Sequence, residues 1–396
     1  HLMTRGGPLR QRRYQWQGAD YLTELTDSMH GTTRFSHDER GKLVAVTYAD
    51  GSQELRQPDA VGNLFRNSVQ TDRHYGPGGQ LWEADGTRYA YDEEGNLLRK
   101  TLPTGEVWCY TWDGAGQLVQ VTRPDGHLVI FSYDALGRRL SKRFQNQVTR
   151  WVWDGDTLLH EWSEQKLDSS ENETQSLITW LFEEDTFVPL AKLTTQGEQS
   201  VVCDHLGTPL ALYDSKGVLS WEMSLDTYGD VRQGKGTPQD CPFRYQGQYE
   251  DVETGLYYNR FRYYDPEAGR YISQDPAGLV GGWELYAYVK DPCSWIDPVG
   301  LVRIHTTGNV AVSAYPGPAV GGVEHAPLHA HVVEGKAETR VLMEDYVKKG
   351  KLVGRKGEVY PGDPKMSKSM RKVVSDVFDD LVAKTKAVFE TGVCPR

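Results

Sequence analysis

The chain has 396 residues, more than one hydrophobic core usually organises, so two or more units are expected. Its 22 Tyr, 11 Trp and 41 Gly, with a mean hydropathy of -0.59, argue against a helical bundle or a membrane protein and favour many short strands and turns. No window offers the roughly 18 consecutive apolar residues of a membrane span, and no signal peptide opens the sequence. The net charge of -11 is unevenly spread: residues 302–396 carry +4 and the remainder -15. An acidic body beside a basic tail suggests a tail that meets a polyanion. Five cysteines, an odd number with no CxxC pair, disfavour a disulfide framework and a zinc site alike.

His1-Leu2-Met3 reads as a cloning scar at 1–3 joined to the middle of a repeat, so the natural protein is expected to be longer. The repeat is an aromatic-Asp pair, then Gly, then an apolar residue. Tyr91, Asp92, Gly95 and Leu97 recur as Trp112, Asp113, Gly116 and Leu118, then as Tyr133, Asp134, Gly137 and Leu140. A further copy begins at Trp153-Asp154, and weaker copies lie at His37-Asp38 and Asp59. Between them stand Asp50-Gly51, Asp85-Gly86 and Asp125-Gly126, which predict tight turns because Asp-Gly accepts positive φ. Each unit therefore reads as a hairpin. Hairpins set side by side make a twisted antiparallel sheet whose Tyr and Trp pack as a ladder, here over residues 4–175.

After residue 175 the period fades and other signatures follow: Asp204-His-Leu-Gly-Thr-Pro, Phe243-Arg-Tyr-Gln-Gly-Gln-Tyr and Tyr257-Tyr-Asn-Arg-Phe-Arg-Tyr-Tyr-Asp-Pro. Then come Arg270-Tyr-Ile-Ser-Gln-Asp-Pro-Ala-Gly-Leu and Trp295-Ile-Asp-Pro-Val-Gly-Leu301. Taken alone, the two Asp-Pro-x-Gly-Leu copies could be mere turns. Together with the repeats, these motifs resemble the YD-repeat group of Rhs proteins, Tc-toxin C subunits and teneurins over roughly residues 14–301. The resemblance implies a mainly β fold: an arc of shell, an autoprocessing region at 176–301 and a small α+β toxin domain at 302–396. It implies an aspartyl self-cleavage by Asp275 and Asp297 beside Arg262, with the cut after Leu301. Paired carboxylates suit such chemistry, because one must be ionised and the other protonated. The resemblance also implies a bacterial effector of interbacterial competition, made in the bacterial cytoplasm and secreted into a target cell, for instance through type VI secretion. Its expected partners are a cognate immunity protein and a secretion-system carrier of the VgrG or PAAR type; no cofactor is expected.

In the tail, alternation on both sides of Glu334-Gly335 predicts a hairpin that pairs His331 with Glu338, His329 with Arg340 and Val333 with Lys336. His, His, Lys, Glu and Arg would then share one face, as proton transfer to and from a phosphate ester requires. Apolar residues from Met370 to Phe389 follow helical spacing, with Lys365, Lys368, Arg371 and Lys372 as a basic edge near the helix start. With His325, that edge would bind substrate, and a nuclease acting on RNA is the expected activity. The alternatives are a metal-dependent enzyme using His325, His329 and His331, an ADP-ribosyltransferase, and a protein-binding or pore-forming module. A zinc deaminase is disfavoured because no Pro-Cys-x-x-Cys follows the histidines.

Overall fold

A computed structural model describes residues 2–4, 7–17, 21–165, 173–174, 177–184, 186–278, 284–301, 304–307, 310–314, 329–334, 337–342, 346–348 and 351–354. Among them the regular structure is antiparallel β apart from a short 3-10 turn at Pro77–Gly79. No helix of the described residues is long and apolar enough to cross a membrane.

The repeat is a turn code. In Trp112-Asp113-Gly114-Ala115-Gly116, the Asp113 carboxylate accepts the N–H groups of Ala115 and Gln117, both at 2.9 Å, while Gly116 takes φ +74°. Asp134 does the same for Leu136 and Arg138, with Gly137 at +77°. This is a type I turn closed by a left-handed glycine, and it inserts one extra residue where the aromatic faces its partner. The register accordingly slips between Thr111 and Trp112 and between Ser132 and Tyr133. Of the three Asp-Gly pairs, only Asp85-Gly86 has both residues at positive φ; at Asp50-Gly51 and Asp125-Gly126 the glycine alone does.

The aromatic ladder is also a hydrogen-bond ladder. Trp112 Nε1 donates to the Leu97 carbonyl at 2.8 Å, Tyr133 Oη to Leu118 at 2.6 Å and Trp153 Nε1 to Arg139 at 2.6 Å. Each aromatic thus packs its partly buried ring against the core and spends its polar tip on the preceding hairpin.

Strands from Arg12–Gln17 to Gln53–Leu55 make a five-stranded sheet, and those from Arg73–Tyr75 to Val231–Lys235 a seventeen-stranded one in sequence order. The expected division at residue 175 lies inside the latter, where Thr157–Gln165 pairs with both Glu173–Thr174 and Ile178–Phe182. The two sheets meet: Arg56 Nη1 donates to the Thr227 carbonyl at 2.6 Å and Tyr228 Oη to Leu55 at 2.8 Å.

Against the inner face of the long sheet lies a four-stranded sheet, Tyr249–Asp251, Leu256–Asn259, Arg262–Asp265 and Arg270–Tyr271. Leu256, Tyr258, Tyr263 and Ile272 pack on Leu81, Leu97, Leu118, Val129 and Phe131 in one core. Buried cations of the repeats reach acids of the inner sheet: Lys100 meets Asp265 at 3.0 Å, and Lys142 meets Asp251 at 3.1 Å. The inner sheet carries the candidate site.

Candidate active site

Arg262 opens the strand Arg262–Asp265 after a tight turn in which Arg260 takes φ +56°. All four residues of that strand are buried. The two Asp-Pro-x-Gly segments form matching turns. Gly278 N–H donates to the Asp275 carbonyl at 2.8 Å and Ala277 N–H to its Oδ1 at 2.9 Å. Gly300 N–H lies 3.4 Å from the Asp297 carbonyl, and Leu301 N–H donates to Asp297 Oδ1 at 2.9 Å. A side chain at Gly300 is excluded: the residue sits at φ +72°, and a Cβ would stand 2.7 Å from the Asn259 carbonyl oxygen.

The turns converge on one guanidinium. Arg262 Nη2 lies 3.0 Å from Asp275 Oδ2 and 3.0 Å from Asp297 Oδ2, and the three side chains are at most 2% exposed. Its Nε donates to the Gly300 carbonyl and its Nη1 to the Leu285 carbonyl. Burial opposes the charge of Arg262, but Asp275, Tyr271 and Asp297 outweigh it and raise the guanidinium above its ordinary value. The Gly300–Leu301 peptide unit is therefore clasped at both ends, its C=O by Arg262 and its N–H by Asp297. That unit immediately precedes the Leu301–Val302 bond.

Two further residues complete the site, and neither stood out in the sequence. Tyr271 Oη donates to Asp297 Oδ2 at 3.0 Å, and Asn259 Nδ2 lies 2.6 Å from Tyr271 Oη and 2.8 Å from the Asp297 carbonyl. Both fall in the motifs quoted above, but nothing in the order of residues distinguishes them from neighbouring tyrosines.

The bond expected to be cut lies in the connection between two paired strands. Trp295–Ile296 pairs with Ile304–Thr307, and that sheet continues through Val310–Ala314, His329–Glu334 and Ala337–Leu342. The last two strands form the expected hairpin in a different register. His331 pairs with Arg340 rather than Glu338, His329 with Leu342 rather than Arg340, and Val333 with Glu338 rather than Lys336. Glu334, expected in the turn, pairs with Ala337. His325, Lys336, Lys365, Lys368, Arg371, Lys372 and the expected C-terminal helix lie outside the described residues.

Residues 14–282 match the family model described as Teneurin YD-shell. The double-stranded DNA deaminase toxin A of Burkholderia cenocepacia (strain H111) is 33% identical over 347 residues, which cover 81% of this chain and 24% of that protein. The probable deoxyribonuclease RhsA of Dickeya dadantii (strain 3937) is 30% identical over 415 residues, covering 95% and 27%. The toxin protein Tse5 of Pseudomonas aeruginosa is 33% identical over 364 residues, covering 76% and 28%. The chain thus spans about a quarter of the length of these curated relatives. A crystal structure of TcdB2-TccC3 shares the fold, with a TM-score of 0.51 at 19% identity over 74% of this chain and 17% of that one. The chain belongs to the Teneurin YD-shell family and, within it, to the Rhs/YD-repeat polymorphic toxins.

Proposed function

We propose that the core cuts its own chain between Leu301 and Val302 and so frees residues 302–396 as a toxin. The observation that carries this reading is the sharing of Arg262 by Asp275 and Asp297 beside the clasped Gly300–Leu301 unit. Water attacks the Leu301 carbonyl carbon, one aspartate takes a proton from that water, and the other delivers a proton to the Val302 nitrogen as the C–N bond breaks. The products are a carboxyl at Leu301 and an amine at Val302. Because the bond belongs to the chain that holds the acids, its effective concentration is very high, and a single turnover suffices. Arg262 keeps two buried acids close together without mutual repulsion.

The freed tail acts on nucleic acid in this reading. Its basic balance and the histidines on its hairpin suit phosphate chemistry. The sequence favours RNA, whereas the relatives' names speak of DNA. Delivery into a competing cell, a carrier protein and an immunity protein belong to the same proposal.

Intact mass of the purified chain beside Asp297→Asn tests it. Two fragments meeting between Leu301 and Val302, replaced by one full-length species in the variant, are expected. A single uncut mass in both would sink the self-cleavage reading. The released tail is then assayed on RNA and DNA, and activity on neither removes the nucleic-acid reading.

A further inference from the structure

The cleavage reading gives Asp275 and Asp297 opposite duties. Arg262 Nη2 is 3.0 Å from each, and each accepts one backbone N–H of its own turn at 2.9 Å, but the Arg262 contact is a hydrogen bond at Asp297 and an ion pair at Asp275. Tyr271 adds to this difference. Its hydroxyl, fully buried, donates to Asp297 Oδ2 at 3.0 Å, and its ring lies 3.7 Å from the Arg262 guanidinium.

Donor directions in this chain of contacts follow from chemistry. The Asp297 carbonyl can only accept, so the Asn259 side-chain atom 2.8 Å from it is the amide nitrogen. That nitrogen can only donate, so Tyr271 Oη, 2.6 Å away, accepts from it and has its own proton free to point at Asp297. Burial first, and then the charge of Asp297, push the Tyr271 phenol well above its ordinary value, so it stays a donor.

We infer that Tyr271 is a positioning residue for self-cleavage which, oriented by Asn259, holds Asp297 as the carboxylate that takes the proton from water and leaves Asp275 to protonate the leaving amine. The inference rests on the self-cleavage reading. Asp297 accepts from Leu301 N–H, Arg262 and Tyr271, and each such bond favours its ionised form. Among the described residues, the charged and titratable groups about it include Arg262 and Tyr271 of the inner sheet, Asp275 across the guanidinium, and Tyr288, whose Oη lies 3.4 Å from Asp297 N.

The test follows cleavage of the full chain after dilution from denaturant into buffers spanning about pH 4 to 9, for wild type, Asp297→Asn, Tyr271→Phe and Asn259→Ala. Phenylalanine keeps the ring against Arg262 and removes the donor. Tyr271→Phe is expected to move the acid limb of the rate profile up by about one pH unit, cutting slowly in acid and recovering towards wild type above about pH 7. Asn259→Ala shifts the limb in the same direction by less. A purely structural role for Tyr271 would lower the rate at every pH and leave the limb in place, and that outcome overturns the inference. Should Tyr271→Phe fail to refold, Asn259→Ala decides, an unshifted limb counting against the proposal. If wild type and Asp297→Asn both stay uncut, it is the underlying cleavage reading that fails.

Discussion

Arg139 meets Asp251 in an ion pair with side chains 1% and 0% exposed, at the inward position where the two preceding repeats hold Leu97 and Leu118. The substitution of a cation for leucine at the same place in a repeat makes sense only with its partner. Asp251 belongs to the inner sheet, and Lys142, three residues further along the same strand as Arg139, meets the same carboxylate. The shell and the sheet that carries the site are thereby keyed to each other at this repeat.

Arg139→Leu restores the repeat consensus and should still destabilise the protein. It leaves part of the Asp251 charge buried without its closest partner, and losses of this kind cost about 3–5 kcal/mol. Chemical unfolding of the variant in an Asp297→Asn background, which removes any contribution from cleavage, is the measurement. A midpoint equal to that of the parent would mean that the leucine contact fully replaces the pair.

Gly247 should prove as important to cleavage as residues that touch the reacting bond. It lies at φ +84°, and a Cβ there would stand 1.8 Å from the Pro298 carbonyl oxygen. Alanine must therefore push the Asp297–Gly300 turn aside, and a displacement of about 1 Å commonly costs about a hundredfold in rate. Gly247→Ala is expected to accumulate uncut chain with an unchanged far-ultraviolet spectrum. Normal cleavage would show that the turn has room to move.

Arg262→Lys keeps the charge but not the fork. One ammonium cannot at once span both carboxylates and reach the carbonyls of Gly300 and Leu285. The expected result is loss of cleavage by at least about a hundredfold, read by intact mass over time. Retention of the wild-type rate would reduce Arg262 to a simple counter-charge.

The seam between the first sheet and the long one carries a pH dependence. Burial, followed by the charge of Glu54, raises the Asp226 carboxyl to about 6. A carboxyl higher in the folded than in the unfolded chain contributes stability that is fully present below its unfolded value and is lost as pH rises through about 6. Asp226→Asn keeps the acceptor for Tyr228 N–H and Asp230 N–H. It should raise the thermal midpoint at pH 8, by an amount corresponding to about 1–2 kcal/mol, and change little near pH 4. An effect of equal size at both pH values would speak against titration of Asp226.

In the tail, His331→Ala and Arg340→Ala are both expected to abolish activity of the released segment on nucleic acid, since the register places these two residues opposite each other. Glu338 faces Val333, so Glu338→Ala should cost less. The comparison is made on folded, released tail; an inactive Glu338→Ala beside an active Arg340→Ala would favour the pairing expected from the sequence.

Much of this architecture is written locally. At Asp113 and Asp134 an aspartate that accepts N–H groups two and four residues on, followed by a left-handed glycine, closes the hairpin within five residues, so the turn spacing alone announced a meander of hairpins. The two Asp-Pro-x-Gly-Leu turns and Arg262 were likewise visible as motifs. What the sequence concealed depends on contacts between distant segments. The inward place five residues after the aspartate, held by Leu97 and Leu118, falls on Arg139 in the next repeat, so that Arg139 is buried and Leu140 exposed, contrary to the alignment of Leu140 with those leucines. Alternation placed a hairpin at His329–Leu342, but the partner of His331 depends on the register, and a slip of that register changes every pair. Asn259 and Tyr271 look like their neighbours until the inner sheet folds them beneath Asp297. Hydrogen bonds that close within a turn are set by a few adjacent residues and can be read from their order, whereas the pairing of buried charges and the aim of a single phenol are decided only when separate strands exclude water between them.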